Sequence, residues 1–315
     1  MKTNNLYRGI NLGNILEALD EGRWRYFFDE KFLKVSKEKG FDFVRIPIRW
    51  SAHLFDGVID EKFVERVRDI ITLSLSYGFP VIINTHHYDA LDNEPEAEEH
   101  NLYKIWEQLS IAYKDFPDSL IFEINNEPKN NLTTEKWVVM QDKCIEIIRK
   151  TNKTRKIVIT GADWGGPYEL LKLENKYNDP NLIGSFHYYF PIEFTHQGDD
   201  WGIGLDPNRV VEWTGTENEK SAIEKDFILI KEWSEKTGIP VLLGEFGTTD
   251  KADMPSRVNW TSYVCRLSEK YGFAWCYWKL LGSFGIYNPT DEVFNDELVG
   301  ALINEQYMVD TNTEH

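Results

Sequence analysis

Apolar residues along this chain follow two alternating rhythms. Short, largely β-branched runs such as FVRIPI, PVIIN and PVLLGEF are separated by longer stretches in which apolar positions recur at helical spacing. At four junctions a helical stretch ends in Gly and passes directly into an apolar run: Lys39-Gly40-Phe41, Tyr77-Gly78-Phe79, Thr237-Gly238-Ile239 and Tyr271-Gly272-Phe273. A Gly just past a helix takes the left-handed conformation at no steric cost and lets the chain reverse into a strand. With the weaker signals added, strands are predicted to start near Tyr7, Phe43, Val81, Leu120, Ile157, Leu182, Val241 and Ala274. Helical patterns cover Glu61 to Tyr77, Thr134 to Lys150, Glu217 to Lys236 and Ser256 to Lys270. Thr133 is placed to N-cap the second of these, with Glu135 in its first turn.

Strands that alternate with helices pair in parallel through right-handed crossovers. Eight such units predict a single (β/α)8 TIM barrel over residues 1–315, with 1–5 and 311–315 as flexible ends. A doubly wound open sheet is the alternative. It calls for a Gly-rich phosphate turn after the first strand, and Gly9-Ile10-Asn11-Leu12-Gly13-Asn14 does not supply that pattern. Between Phe190 and Gly215 a long stretch rich in Trp, Gly, Asp and His reads as a loop, and loops of that length are functional or disordered. The acidic run Asp92 to Glu99 reads as a solvated loop.

Charge narrows the function classes. Lys and Arg total 35 against 52 Asp and Glu, a net charge of −17, which opposes binding to nucleic acid phosphates or an anionic membrane. A hydrophobic share of 42% is enough for a large core. Cys144, Cys265 and Cys276 are too few and too dispersed for a disulfide framework, and with no CxxC there is no thiolate zinc motif. All three are expected as buried hydrophobes. Met1 to Asn5 carry no apolar signal segment and no run reaches the length of a membrane span, so the expected location is cytoplasmic, or extracellular after loss of a leader.

In a barrel of this kind the active site forms at the C-terminal ends of the strands. The predicted strands run out into Asn11 and Asn14, Arg45 and Trp50, His86 and His87, Asn126 and Glu127, Trp164, His187 and Tyr189, Glu245, and Trp278. Glu127 and Glu245, on strands four and seven, are the pair that a closed barrel can aim across its mouth at one sugar. Retaining glycosidases need two carboxyl groups ~5–5.5 Å apart, one acid/base and one nucleophile. Glu123 lies four residues before Glu127, ~13 Å deeper along a strand, and reads as a structural interior carboxylate. Trp50, Trp106, Trp137, Trp233, Trp260 and Trp275 are expected in the core or on helices, whereas Trp24, Trp164, Trp201 and Trp213 fall in loops on the catalytic side and are candidate sugar platforms.

Asn11, Gly13, Arg45, His86-His87, Asn126-Glu127-Pro128, His187-Tyr188-Tyr189, Gly244-Glu245-Phe246-Gly247 and Trp278, in that order, resemble glycoside hydrolase family 5. RIPIRWS, INTHHYDAL, FEINNEP, FHYYFPIEFTHQG and GEFG are similar to its single-domain endo-β-1,4-glucanases, some of which also cut mannans. The resemblance implies Glu127 as general acid/base and Glu245 as nucleophile. It implies Arg45 beside the nucleophile, Tyr189 hydrogen-bonded to it, His187 near the acid/base, and Asn126 on the sugar 2-hydroxyl. His86 and Trp278 would bind substrate, with Asn14 and Glu17 at the glycone end and His196 and Trp201 in further subsites. His87, adjacent to His86 on a strand, is expected to point the other way. The implied partner is a β-1,4-linked polysaccharide, met by a monomer with no metal and no cofactor. Lys279 stands where many members carry Glu, which bears on the choice among glucan, mannan and xyloglucan. Two other readings compete: a metal-dependent hydrolase built on His86, His87 and His187, and a non-catalytic sugar-binding protein.

Overall fold

The four helix–Gly junctions reverse the chain as their residue types require. Gly40, Gly78, Gly238 and Gly272 have φ of +94°, +75°, +74° and +76°. A computed structural model describes residues 6–173, 176–198, 205–206 and 208–304, so both ends expected to be flexible, 1–5 and 311–315, lie outside the described residues. The barrel strands are β1 (Arg8–Asn11), β2 (Phe43–Ile46), β3 (Val81–Asn84), β4 (Leu120–Glu123), β5 (Ile157–Ile159), β6 (Leu182–His187), β7 (Val241–Phe246) and β8 (Ala274–Tyr277). Each pairs in parallel with its neighbours in sequence, and β8 closes on β1 through Arg8–Trp275, Gly9–Cys276 and Ile10–Tyr277. The result is the closed eight-stranded barrel predicted, and the open doubly wound sheet is excluded.

The helices are α1 (Glu30–Glu38), α2 (Glu61–Ser76), α3 (Asp89–Asn93), α4 (Pro95–Ala112), α5 (Thr134–Thr151), α6 (Pro167–Leu171), α7 (Ile192–Thr195), α8 (Glu217–Thr237), α9 (Met254–Lys270) and α10 (Asp296–Ile303). Side-chain oxygens of Asp29, Asp60, Thr216, Asp253 and Asn295 accept amide protons at their N-termini. Thr133 occupies the N-cap of α5, but its side chain makes no capping bond. Among the described residues no helix is long and apolar enough to cross a membrane.

Two departures from the sequence reading stand out. The run Asp92 to Glu99, expected as a solvated loop, spans the end of α3 and the start of α4, with Pro95 in the first turn of α4, and Asp92 is buried with its carboxylate 2.8 Å from Lys129 Nζ. The long interval after β6 carries α7 close to its beginning.

Alternation along the strands sorts the core in two. Phe43, Ile82, Ile121, Val158, Ile183, Leu242 and Cys276 form an apolar layer inside the barrel, floored by Leu6. Their neighbours in sequence face outward and merge with the helices into the main core. Trp50, Trp106, Trp137, Trp233, Trp260 and Trp275 are all buried there, and the three cysteines are buried and unpaired. Above the interior layer, toward the C-terminal strand ends, the inward residues turn polar. That change of chemistry marks the site.

Candidate active site

Arg45 organises the barrel mouth. It is two residues beyond Phe43 on β2, so it faces inward. All five of its N–H groups are taken. Nε and Nη2 grip Glu123 at 2.6 and 2.8 Å, Nη1 meets Asn11 Oδ1 at 2.8 Å and Glu245 Oε1 at 2.7 Å, and Nη2 also meets Asn126 Oδ1 at 2.6 Å. The guanidinium is fully buried between two carboxylates, which hold its pKa above the ordinary arginine value although burial opposes this. Glu123 is thus the interior carboxylate expected, and its partner is the arginine that also holds Glu245. Asn11 shares the same frame: its amide group donates to the carbonyls of Gly244, Cys276 and Tyr277.

Glu127 and Glu245 meet across this frame. Glu127 lies in the loop after β4, which ends at Glu123, while Glu245 is within β7. An oxygen of each carboxylate and a ring nitrogen of His187 all lie within 4.8 Å of one another. His187 Nδ1 is 2.7 Å from Glu127 Oε1 and 3.8 Å from Glu245 Oε2. The Tyr189 hydroxyl donates to Glu245 Oε2 at 3.0 Å. Gly244 and Gly247 bracket Glu245 because nothing larger fits. A Cβ on Gly244 would lie 2.7 Å from Ser185 Oγ, and one on Gly247 would lie 2.0 Å from the Trp278 carbonyl oxygen.

The three titratable groups are coupled. Burial pulls the His187 imidazole down, but the two carboxylates outweigh it and leave its pKa above the ordinary histidine value. Burial pushes Glu127 up, and the hydrogen bond and charge of His187, helped by Lys129 and His87, bring its carboxyl below the usual range. Burial also pushes Glu245 up, with Glu127 adding to the effect. His187 and Arg45 offset only part of that, so this carboxyl stays above its ordinary value. His187 Nδ1 can hold a proton against Glu127, while Arg45 favours the ionised form of Glu245 without outweighing its burial.

The remaining predicted residues fall into several groups. His86 is buried, bonded through Nδ1 to Asn84 Nδ2 at 3.1 Å, and stacked on Trp278 with centroids 5.6 Å apart and planes 3° apart. His87 does not point away from it. β3 ends at Asn84, and a φ of 49° at His87 breaks the alternation, so the two imidazoles meet edge-on at 4.5 Å. Burial lowers His87 to about 4. Asn14 accepts from Lys279 Nζ at 2.7 Å, and that ammonium sits 4.9 Å over the Trp278 ring. Glu17 is buried, with its oxygens taken by the Asn14 and Ile15 amides; burial raises its carboxyl and Lys279 draws it back. His196 is buried between Tyr189 and Phe284, and burial lowers it to about 4.

Of the loop tryptophans, Trp164 is half-exposed under Lys129 Nζ, and Trp24 is exposed edge-on to His87. Trp213, expected as a sugar platform, is instead buried against Tyr263, because its loop folds back over α9. Trp201 lies outside the described residues. Sequence reasoning passed over Asn84, Lys129 and Phe284. Asn84 stands two residues before His86 on the inward face, a spacing that could have flagged it.

His86, His87 and His187 do not form a metal triad. Among the described residues the one group of His, Cys, Asp and Glu donors close enough to share an ion is Glu127, His187 and Glu245. Its Glu245 member already carries the Arg45 guanidinium, which repels a second cation.

Comparisons with known proteins agree with this geometry. The profile of the family described as Cellulase (glycosyl hydrolase family 5) matches residues 16–283. Endoglucanase H of Acetivibrio thermocellus is 37% identical over 311 residues, aligned to 94% of this chain and 32% of its own length. Cellulase/esterase CelE of the same bacterium is 31% identical over 307 residues, 90% of this chain and 36% of its own. The chain thus spans about a third of the length of these curated relatives. A hyperthermophilic endo-β-1,4-glucanase solved with substrate superposes at a TM-score of 0.92 and 40% identity, covering 95% of this chain and 97% of that one. Thermotoga maritima Cel5A solved with mannotriose gives 0.92 and 41%, covering 95% and 98%. With a matched profile over most of its length and its carboxylate pair joined at the mouth of a closed barrel, the chain belongs to the cellulase family, glycosyl hydrolase family 5.

Proposed function

We propose that this chain is a retaining endo-β-1,4-glycanase, most active on glucan (cellulose, carboxymethyl-cellulose, mixed-linkage glucan or glucomannan), working as a monomer without metal or cofactor. The observation that carries the reading is the approach of Glu127 and Glu245 to within 4.8 Å of one another. That separation suits direct attack, since inverting enzymes hold their carboxyl groups ~6.5–9.5 Å apart to admit a water.

Glu245 attacks the anomeric carbon while Glu127 delivers the proton it shares with His187 to the leaving oxygen. Glu127 then takes a proton from the water that releases the glycosyl-enzyme. Arg45 and Tyr189 aim the Glu245 carboxylate, and Arg45 favours its ionised form against burial. Arg45 also fixes Asn126 Oδ1, which leaves the amide nitrogen to donate to the sugar 2-hydroxyl, a bond that strengthens toward the transition state. Trp278, backed by His86, offers its face to the sugar at the cleavage point. Asn14, Glu17 and Lys279 shape the glycone end, and His87, Trp164, His196 and Trp201 complete the substrate contacts.

A non-catalytic sugar receptor does not need an arginine-held carboxylate facing a second, proton-sharing one. Mannan or xyloglucan as the main substrate is the second reading; for mannan, the mannotriose bound to Thermotoga maritima Cel5A speaks in its favour. Glu245→Ala, assayed on carboxymethyl-cellulose and glucomannan, is expected to lose activity by more than ~1,000-fold. Near-normal turnover by that variant would remove the nucleophile assignment. Product analysis across glucan, mannan, xylan and xyloglucan decides the substrate.

A further inference from the structure

Between β4 and α5 the chain carries Pro128, Asn130 and Asn131, residue types that favour turns, and Asn130 takes a left-handed φ of 57°. The segment after Glu127 has no helix or strand of its own before Thr134, so its place is set by what it touches. Asp92, in the last turn of α3, is that support. Its backbone carbonyl accepts the amides of Asn131 at 3.0 Å and Leu132 at 3.2 Å, and its carboxylate accepts the Lys129 amide at 3.3 Å. These bonds use backbone amides and would form with other side chains at position 129. The Lys129 ammonium is a separate matter. Its side chain is 14% exposed and that of Asp92 3%. A buried ion pair of this kind adds little stability over apolar residues of the same volume, so stability alone does not account for it.

Lys129 Nζ stands 2.8 Å from Asp92 Oδ2 and 4.6 Å from the centroid of Trp164, in the loop after β5. The ammonium thus bridges the end of α3 to an indole on a different loop. The Trp164 backbone is itself held in a left-handed conformation, φ 61°, and its amide donates to the Pro128 carbonyl at 3.2 Å. That bond places Trp164 beside Glu127 but leaves the ring free to turn about its side-chain torsions. A largely desolvated ammonium over an indole is among the stronger cation–π contacts and fixes the ring plane. Trp164 stays 50% exposed, so the ring is covered by Lys129 yet open to a ligand. Glu127 must face the leaving oxygen, so a ring next to it meets the leaving sugar. A sugar laid on a ring already fixed pays less ordering entropy on binding. On the glycanase reading, on which this rests, we infer that Lys129 is a positioning residue: backed by Asp92, its ammonium fixes the Trp164 indole as a platform for the leaving sugar. Lys129 acts through the ring and not on the reacting atoms.

The experiment compares kcat/KM on cellopentaose and on dinitrophenyl β-cellobioside. The aryl substrate has no leaving sugar, and its phenolate departs without a proton, so it reports folding and attack by Glu245. The variants are Lys129→Met, Trp164→Ala, the two combined, and Lys129→Arg. Lys129→Met is also made together with Asp92→Asn, which leaves no buried carboxylate stranded and guards against a fold lost for that reason. Lys129→Met, in either background, is expected to lower kcat/KM on cellopentaose by about 2- to 12-fold, while the aryl substrate changes less than about twofold. Lys129→Arg, which keeps a cation able to pair with Asp92 and stack on the indole, should retain most of the activity. Combining Lys129→Met with Trp164→Ala should cost no more than Trp164→Ala alone, because both act through one ring. Equal losses on the two substrates, no loss on either, or additive losses in the combined variant would overturn the inference while leaving the glycanase reading intact. A wild type that cleaves no cello-oligosaccharide would instead refute the underlying activity.

Discussion

Arg45→Lys separates the charge of the central cation from its geometry. Lysine keeps the positive charge but offers three N–H donors where Arg45 uses five. At least two charge-assisted hydrogen bonds are therefore lost inside the barrel, at ~1.5–3 kcal/mol each, or ~3–6 kcal/mol together. This agrees with the ~3–5 kcal/mol typical of breaking a buried ion pair. At ~2 °C per kcal/mol for a chain of this size, the melting temperature should fall by ~6–12 °C. Glu245 and Asn126 lose their common anchor, and a displacement near 1 Å at the reacting carboxylate costs ~100-fold, so kcat should drop by ~10- to 100-fold. The acid limb of the pH–rate profile should move little, because a cation still faces Glu245. Arg45→Met, which removes the charge, should move that limb upward. The assays are calorimetric melting and kcat/KM against pH on carboxymethyl-cellulose. An Arg45→Lys protein melting within ~1 °C of the wild type with undiminished kcat would refute the reasoning.

Two further substitutions probe neighbouring links. His187→Gln removes the largest influence that lowers the Glu245 pKa, so protonation of Glu245 should begin at higher pH and the acid limb of kcat/KM should shift upward; an unmoved limb would show that His187 is not electrostatically coupled to Glu245. Asp92→Ala removes the carboxylate that meets both Nζ and the amide of Lys129, two residues beyond Glu127, and leaves that ammonium only its Trp164 ring contact among those described above. Stability should fall by ~3 kcal/mol and kcat more than KM, as read by chemical denaturation and steady-state kinetics.

The barrel was legible because its strands are short apolar runs, four of them announced by a helix-ending glycine. Such punctuation survives tertiary context, and every predicted strand start lies within a residue of the observed one. Helix α4 was obscured by its charged first turns, since its buried Leu102, Ile105, Trp106 and Leu109 all lie in the later part of the element. In the site, the meeting of Glu127 and Glu245 was recoverable from strand order plus ring closure, and the place of Arg45 beside Glu245 from the family resemblance. What sequence could not supply were features that depend on local backbone and long-range closure. The left-handed turn at His87 is one, and the sharing of a single guanidinium by Glu123 and Glu245 is another. The burial of Trp213 under a loop that folds back onto Ser256 is a third, because loop composition carries no record of which face ends up covered.

The central claim is that Glu245 attacks the anomeric carbon directly, with no water between them in that first step, while Glu127 serves the glycosidic oxygen and then the incoming water. Proton NMR of the first product formed from a β-linked cello-oligosaccharide, recorded before mutarotation, reads this directly. The account predicts that the new reducing end appears first as the β-anomer; an α-anomer appearing first would contradict it.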